Sequence, residues 1–199
     1  FWFANAGLLN RELRYVGGPI FGARAAFAYF PGDTLVYASG RFEQVELWAP
    51  DGALRRVVRW SGRDREVRGE DVDEWKRQFR QSVAGDVSSP QARAVLEAQI
   101  GDHRPIERAF PGHAEWDGLL VSREGQIWIK EYRGPFDAGA DRWFVFHPSG
   151  AHACQLMMPE GLRLLDIGKD YVLGLERDSV NVEYVVKMAF RMPTESEGS

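Results

Sequence analysis

The chain has 199 residues, 44% of them hydrophobic and 27% charged, the balance of a globular protein of one domain or at most two small ones. A net charge of −4 with a pI near 5.6 excludes the chain-wide basic footprint of a nucleic-acid binder. The single cysteine, Cys154, excludes an intrachain disulfide framework and a cysteine-based metal site. It sits in an alternating apolar stretch and reads as a buried structural thiol.

The chain opens Phe-Trp-Phe, and neither a signal peptide nor a membrane span is visible in it. The first segment predicts a strand ending near Leu9 and another from Glu12, with Asn10-Arg11 turning between them. Ala23–Phe30 alternates as a strand does, and Pro31-Gly32-Asp33 is a turn signal. Thr34–Ala38, Gln44–Trp48 and Leu54–Trp60 follow as β-branched and aromatic runs, with a turn at Ala49-Pro50-Asp51-Gly52. Arg alternates with Val in the last of these runs, as expected on the solvated side of an outer strand.

The period then changes. Val72, Trp75, Phe79 and Val83 recur at spacings of three and four, which predicts a helix from Glu70 to Val83. Ser89 as cap and Pro90 at the first helical position start a second helix, with Val95, Leu96 and Ile100 as its apolar side. The pair, 70–101, reads as an insertion in an otherwise all-β chain. Strands resume at 115–122, 126–132, 142–147, 152–158, 162–167 and 171–175, with a long last strand through 181–190. The polar tail 193–199 reads as disordered.

Three segments repeat. Gly32-Asp33-Thr34-Leu35-Val36-Tyr37 aligns with Gly125-Gln126-Ile127-Trp128-Ile129-Lys130 and with Lys169-Asp170-Tyr171-Val172-Leu173-Gly174. Likewise Val45–Gly52 aligns with Phe144–Gly150, and each unit is preceded by an apolar strand. Four antiparallel strands per unit, at a period of roughly 40–50 residues, are the pattern of a β-propeller blade. A single blade cannot bury both faces, so blades must stack. The expected architecture is therefore a partial ring over 1–192 carrying a two-helix insertion, the C-terminal portion of a larger propeller.

On GARAAFAYFPGDTLVYASGRFEQVELWAPDGALRRVVR (22–59), DGLLVSREGQIWIKEY (117–132), RWFVFHPSG (142–150) and LRLLDIGKDYVLGLERD (162–178), the chain resembles six-bladed β-propeller proteins of the NHL-like and TolB-like kind. The resemblance is strongest to bacterial members without an assigned activity. It covers most of the chain except the helices and the tail, and it is compatible with a periplasmic or exported protein without deciding the compartment. Rings of this kind serve as binding platforms and as lactonases, dehydrogenases and lyases, so the resemblance alone does not choose a chemistry.

Loop lengths point to a face. First-to-second and third-to-fourth connections are short. The second-to-third connection Arg133–Asp141 and the crossing Ser61–Ala114 are long, and in a propeller both classes share one side of the ring. Residues beginning the innermost strands there are Arg24, Glu115, Asp117 and Arg163. The longer connections add Arg41, Arg133, Arg142 and Arg177, and His113 follows Pro111-Gly112 on the same side. Guanidinium groups near carboxylates suit a small polar or anionic ligand, or a protein partner. The bland alternative is that these charges satisfy one another around a water-filled channel.

The four histidines show no metal-ligand spacing, and no nucleophile elbow, phosphate loop or dinucleotide fingerprint is present. Trp48, Trp128 and Trp143 read as repeating positions stacked between blades. The expected function is a non-catalytic ligand- or protein-binding module that requires no cofactor and is joined by the remaining blades of its propeller. The alternative is a lactonase-like hydrolase or a lyase whose channel site, with calcium in the lactonase case, would be shared with further blades.

Overall fold

A computed structural model describes residues 8–9, 12–13, 25–30, 32–62, 67–83, 89–102, 118–131 and 139–191. Two compact units divide the chain. The first contains a short antiparallel pair, β1 (Leu8–Leu9) and β2 (Glu12–Leu13), with Leu9 opposite Glu12, and two helices, α1 (Gly69–Val83) and α2 (Pro90–Asp102). The opening hairpin thus belongs with the helices rather than with the later strands.

At the start of α1 the Asp71 carboxylate reaches back to accept the Arg68 backbone N–H at 2.8 Å. That satisfies one of the amides a helix start leaves open. Trp75 and Phe79, four residues apart, stack with ring centroids 5.1 Å apart. Phe79 also packs on buried Leu96 and Ile100 of α2, and the Arg80 guanidinium donates to both Glu97 oxygens at 2.8 Å. Val95, expected on the apolar side of α2, is instead exposed.

The second unit is all β. Its first sheet is a meander of β3 (Ala26–Phe30), β4 (Thr34–Ala38), β5 (Gln44–Trp48) and β6 (Leu54–Arg59). The second sheet is β7 (Leu119–Val121), β8 (Ile127–Lys130), β9 (Asp141–Phe146) and β10 (His152–Met158). The third is β11 (Arg163–Ile167), β12 (Tyr171–Arg177) and β13 (Glu183–Ala189). Every neighbouring pair is antiparallel.

The apolar pattern decides how these sheets pack. In the first sheet only one set of alternating residues is buried, among them Val36, Ala38, Val45 and Leu47. In the second sheet both sets are: IWI of β8 and WFVF of β9 are apolar without a break, as a strand covered on both faces must be. One core joins Val36, Val45 and Leu47 to Ile127, Ile129, Phe144 and Phe146. The other joins Trp128, Trp143 and Val145 to Leu162, Leu164, Ile167 and Val172. The second sheet is therefore the filling between the first and third, and β3 lies beside β7.

The sheets stack in one sense. Counting from each first turn, where Phe30 faces Thr34 and Ser122 donates to the Gln126 carbonyl, Val36 and Trp128 occupy the same place, and Leu173 follows in the third sheet. Val36 points to the second sheet and Trp128 to the third. This corrects the sequence alignment by one residue: Thr34 matches Gln126, not Ile127. The glycine-bearing turns misled it, because the first hairpin places both Gly32 and Asp33 at positive φ whereas the second needs only Gly125 there. The tryptophans consequently do not repeat. Trp128 and Trp143 are buried between the second and third sheets, whereas Trp48 lies half-exposed on the outward face of the first, in the place Phe146 takes in the second.

The rim with the short turns ties the sheets together. The Gly125 turn abuts the Phe30 ring, and Gly150 sits on Arg56 and Val58 of β6. Arg56 donates to the Pro148 carbonyl at 2.9 Å, and Arg123 pairs with Asp166 at 2.8 Å. As expected of an outer strand, β6 is the edge of its sheet, and exposed Arg55, Arg56 and Arg59 guard it.

Candidate functional site

The opposite rim collects β4–β5, β8–β9 and β12–β13 connections, together with the chain leaving β6. Where β8 ends and β9 begins, successive residues point to opposite faces, and both faces end in charge. On the face toward the third sheet, Lys130 Nζ lies 2.9 Å from Asp141 Oδ2. On the face toward the first sheet, Arg142 Nε lies 3.4 Å from Glu131 Oε2, and the Glu131 N–H donates to the Arg142 carbonyl at 2.8 Å. Glu131 and Asp141 are each 5% exposed. Burying a carboxylate is tolerable only beside a cation or donors, so these pairs rigidify the base of the rim.

The first sheet contributes a second carboxylate to the same place. Glu43 Oε1 accepts the Gly62 N–H at 3.3 Å, while the Glu43 carbonyl accepts from Trp60 at 3.1 Å. A Cβ on Gly62 would stand 3.0 Å from Glu43 Oε1 and 3.8 Å from Glu131 Oε1, so the two carboxylates converge on that glycine.

At the third sheet the β12–β13 turn is built by Asp178. Its carboxylate accepts from Val182 at 2.9 Å, Val180 at 3.0 Å and the Tyr184 hydroxyl at 3.0 Å, with Asn181 at φ 69°. The Val182 N–H above all, helped by Tyr184 and Val180, holds the carboxyl below its ordinary range. Arg177 donates to Glu183 across the strand pair and lowers the Glu183 pKa, and Arg163 adds to the effect through its charge.

Of the residues singled out from sequence, Arg163 and Arg177 come together around Glu183, all exposed. Arg41 is exposed on the β4–β5 connection of the first sheet, its N–H donating to the Ser39 hydroxyl at 3.2 Å. Arg24, His113, Glu115, Asp117 and Arg133 lie outside the described residues. Sequence reasoning named Arg142 but missed Glu43, Lys130, Glu131 and Asp141. The available signal was a charge closing a run that is apolar on both faces: IWIKE and DRWF.

Among the described residues no group of three or more His, Cys, Asp and Glu is placed to hold a metal ion, and the two carboxylates expected at the innermost strands, Glu115 and Asp117, are outside them. No helix among the described residues is long and apolar enough to cross a membrane. Cys154 is half-buried against the core between the second and third sheets, where burial raises its thiol pKa. Exposed guanidinium groups such as Arg41, Arg163 and Arg177 are able to fork onto carboxylate or phosphate. Neither a protein-family model nor a curated protein sequence matches the chain.

Proposed function

We propose that this chain is a segment of a β-propeller that acts as a non-catalytic binding module, taking a small anionic or polar ligand or a protein partner over its charged rim. The observation carrying this reading is the uniform sense of stacking. Consecutive antiparallel meanders present equivalent residues to the same side, as Val36 and Trp128 do, and β3 lies beside β7. Stacking in one sense puts every second-to-third connection on one rim, where Arg41, Arg163 and Arg177 are exposed. Short turns fill the other rim. The blade count, the NHL-like or TolB-like kinship and the other blades of the ring belong to the same proposal.

The test is calorimetric titration with inorganic phosphate, citrate and glucuronate against the intact chain and an Arg163→Ala/Arg177→Ala variant. Saturable binding of at least one probe that weakens about tenfold or more in the variant supports the rim as the anion site. Binding unchanged in the variant, or no saturable binding of any of the three probes, refutes the anionic-ligand form of the proposal.

A further inference from the structure

Both outer faces of the three-sheet stack are bare. The outward face of the first sheet carries Phe27 at 62% and Tyr29 at 69% exposure, with Tyr37 and Trp48 half-exposed beside them. By register these are the places of Leu119, Val121, Ile129 and Phe146 in the second sheet, which the first sheet covers. The outward face of the third sheet carries Val185 at 66%, half-exposed Leu173 and Leu175, and Lys187, with Arg163, Arg177 and Glu183 at its rim end, so the same cover would also close over the rim group. Leu173 there takes the place of Val36 and Trp128, both fully buried under a following sheet. Each bare face is thus the repeat of a face that elsewhere in the same chain is an interface. Singly exposed apolar residues are ordinary, but two continuous faces of this composition mark interaction surfaces.

Charge says which face meets which. Lys187 occupies the place that Leu47 and Val145 hold in the preceding sheets. Leu47 shares its core with Phe144 and Phe146 of the next sheet, and in the first sheet those two places belong to Glu46 and Trp48. A third sheet laid on a first sheet in the chain's own manner therefore sets the Lys187 ammonium against the Glu46 carboxylate, with Leu173, Leu175 and Val185 over the aromatic face.

From this we infer that two copies of the chain associate head to tail, the outward face of each third sheet covering the outward face of the partner's first sheet. The three stacked sheets described in each copy would then run on into those of the other as one continuous stack. A heterologous contact of this kind closes when the rotation per sheet matches the number of sheets. The inference rests on the propeller reading but not on any ligand.

Light scattering and sedimentation of the 199-residue chain test it, alongside K187E and E46K. The expected result is a species of twice the 22.6 kDa chain mass at roughly 100 μM, with each single variant weakening association about tenfold or more. An equimolar mixture of the two variants restores the dimer, because each altered face then meets the other altered face and the remaining two faces are native. A chain that stays monomeric overturns the inference. So does a dimer indifferent to both variants, or a mixture that associates no better than its components. A monomeric chain that still binds an anion through Arg163 and Arg177 overturns the dimer alone and leaves the binding-module reading standing.

Discussion

Gly125 offers the sharpest test of the stacking. It closes the turn between β7 and β8, its N–H donating to the Ser122 carbonyl at 2.9 Å, with φ at +79°. An added Cβ would stand 2.6 Å from Cζ of Phe30, a residue of the neighbouring sheet. Two costs therefore combine in Gly125→Ala. The left-handed backbone costs about 1–2 kcal/mol for a residue with a Cβ, and displacing a packed ring adds about 1–3 kcal/mol. Gly52 separates them, because it has φ +81° in a turn with nothing within 4 Å of its Cβ position, so Gly52→Ala bears only the first cost. Urea unfolding followed by tryptophan fluorescence reads the difference. At a slope of about 2 kcal/mol per molar, the Gly125 variant should unfold about 0.5–1.5 M earlier than the Gly52 variant. Phe30→Leu in the Gly125→Ala background should recover part of that gap by removing the atom in the way. Equal midpoints for Gly125→Ala and Gly52→Ala would mean that this turn does not rest on the first sheet, and the stacking would fail with it.

Two further outcomes follow from the third sheet and its core. Trp128→Ala, in a side chain fully buried between the second and third sheets, should cost about 3–5 kcal/mol; an unfolding free energy within about 0.5 kcal/mol of wild type would show that these sheets share no core. The Asp178 carboxyl titrates below its ordinary value of 3.8 because the folded turn donates to it, so its stabilisation is complete above that value and fades as the pH falls through the lowered one. The midpoint gap between wild type and Asp178→Ala should accordingly be wide near neutrality and narrow in acid. A gap independent of pH between about 2.5 and 7 would show that the carboxylate does not hold the turn.

The two kinds of information divide along physical lines. Local pattern was enough for the elements: period-two runs for β3 to β6, the three- and four-residue spacing of Val72, Trp75 and Phe79 for α1, Ser89-Pro90 for the start of α2. A further local signal went unread: the unbroken run WFVF has no polar set to turn toward water, and its strand is covered on both sides. Which side each residue faces needed the register, and the register depends on turn geometry: the positive φ of Asp33, invisible as such in the string, puts Asp33 rather than Gly32 in the place of Gly125, so that matching the glycines slips the repeat by one residue. The rim is likewise a tertiary result. Arg163 and Arg177 are legible as candidates, but their meeting around Glu183 depends on the pairing of β11, β12 and β13. Glu43 and Glu131, far apart in the chain, converge on Gly62 because stacking, not spacing, brings them together. Sequence by itself determined strands and helices, because those are properties of short-range periodicity. The order of the stack, the bare outer faces and the charge placed on them were decided only by how one sheet lies on the next.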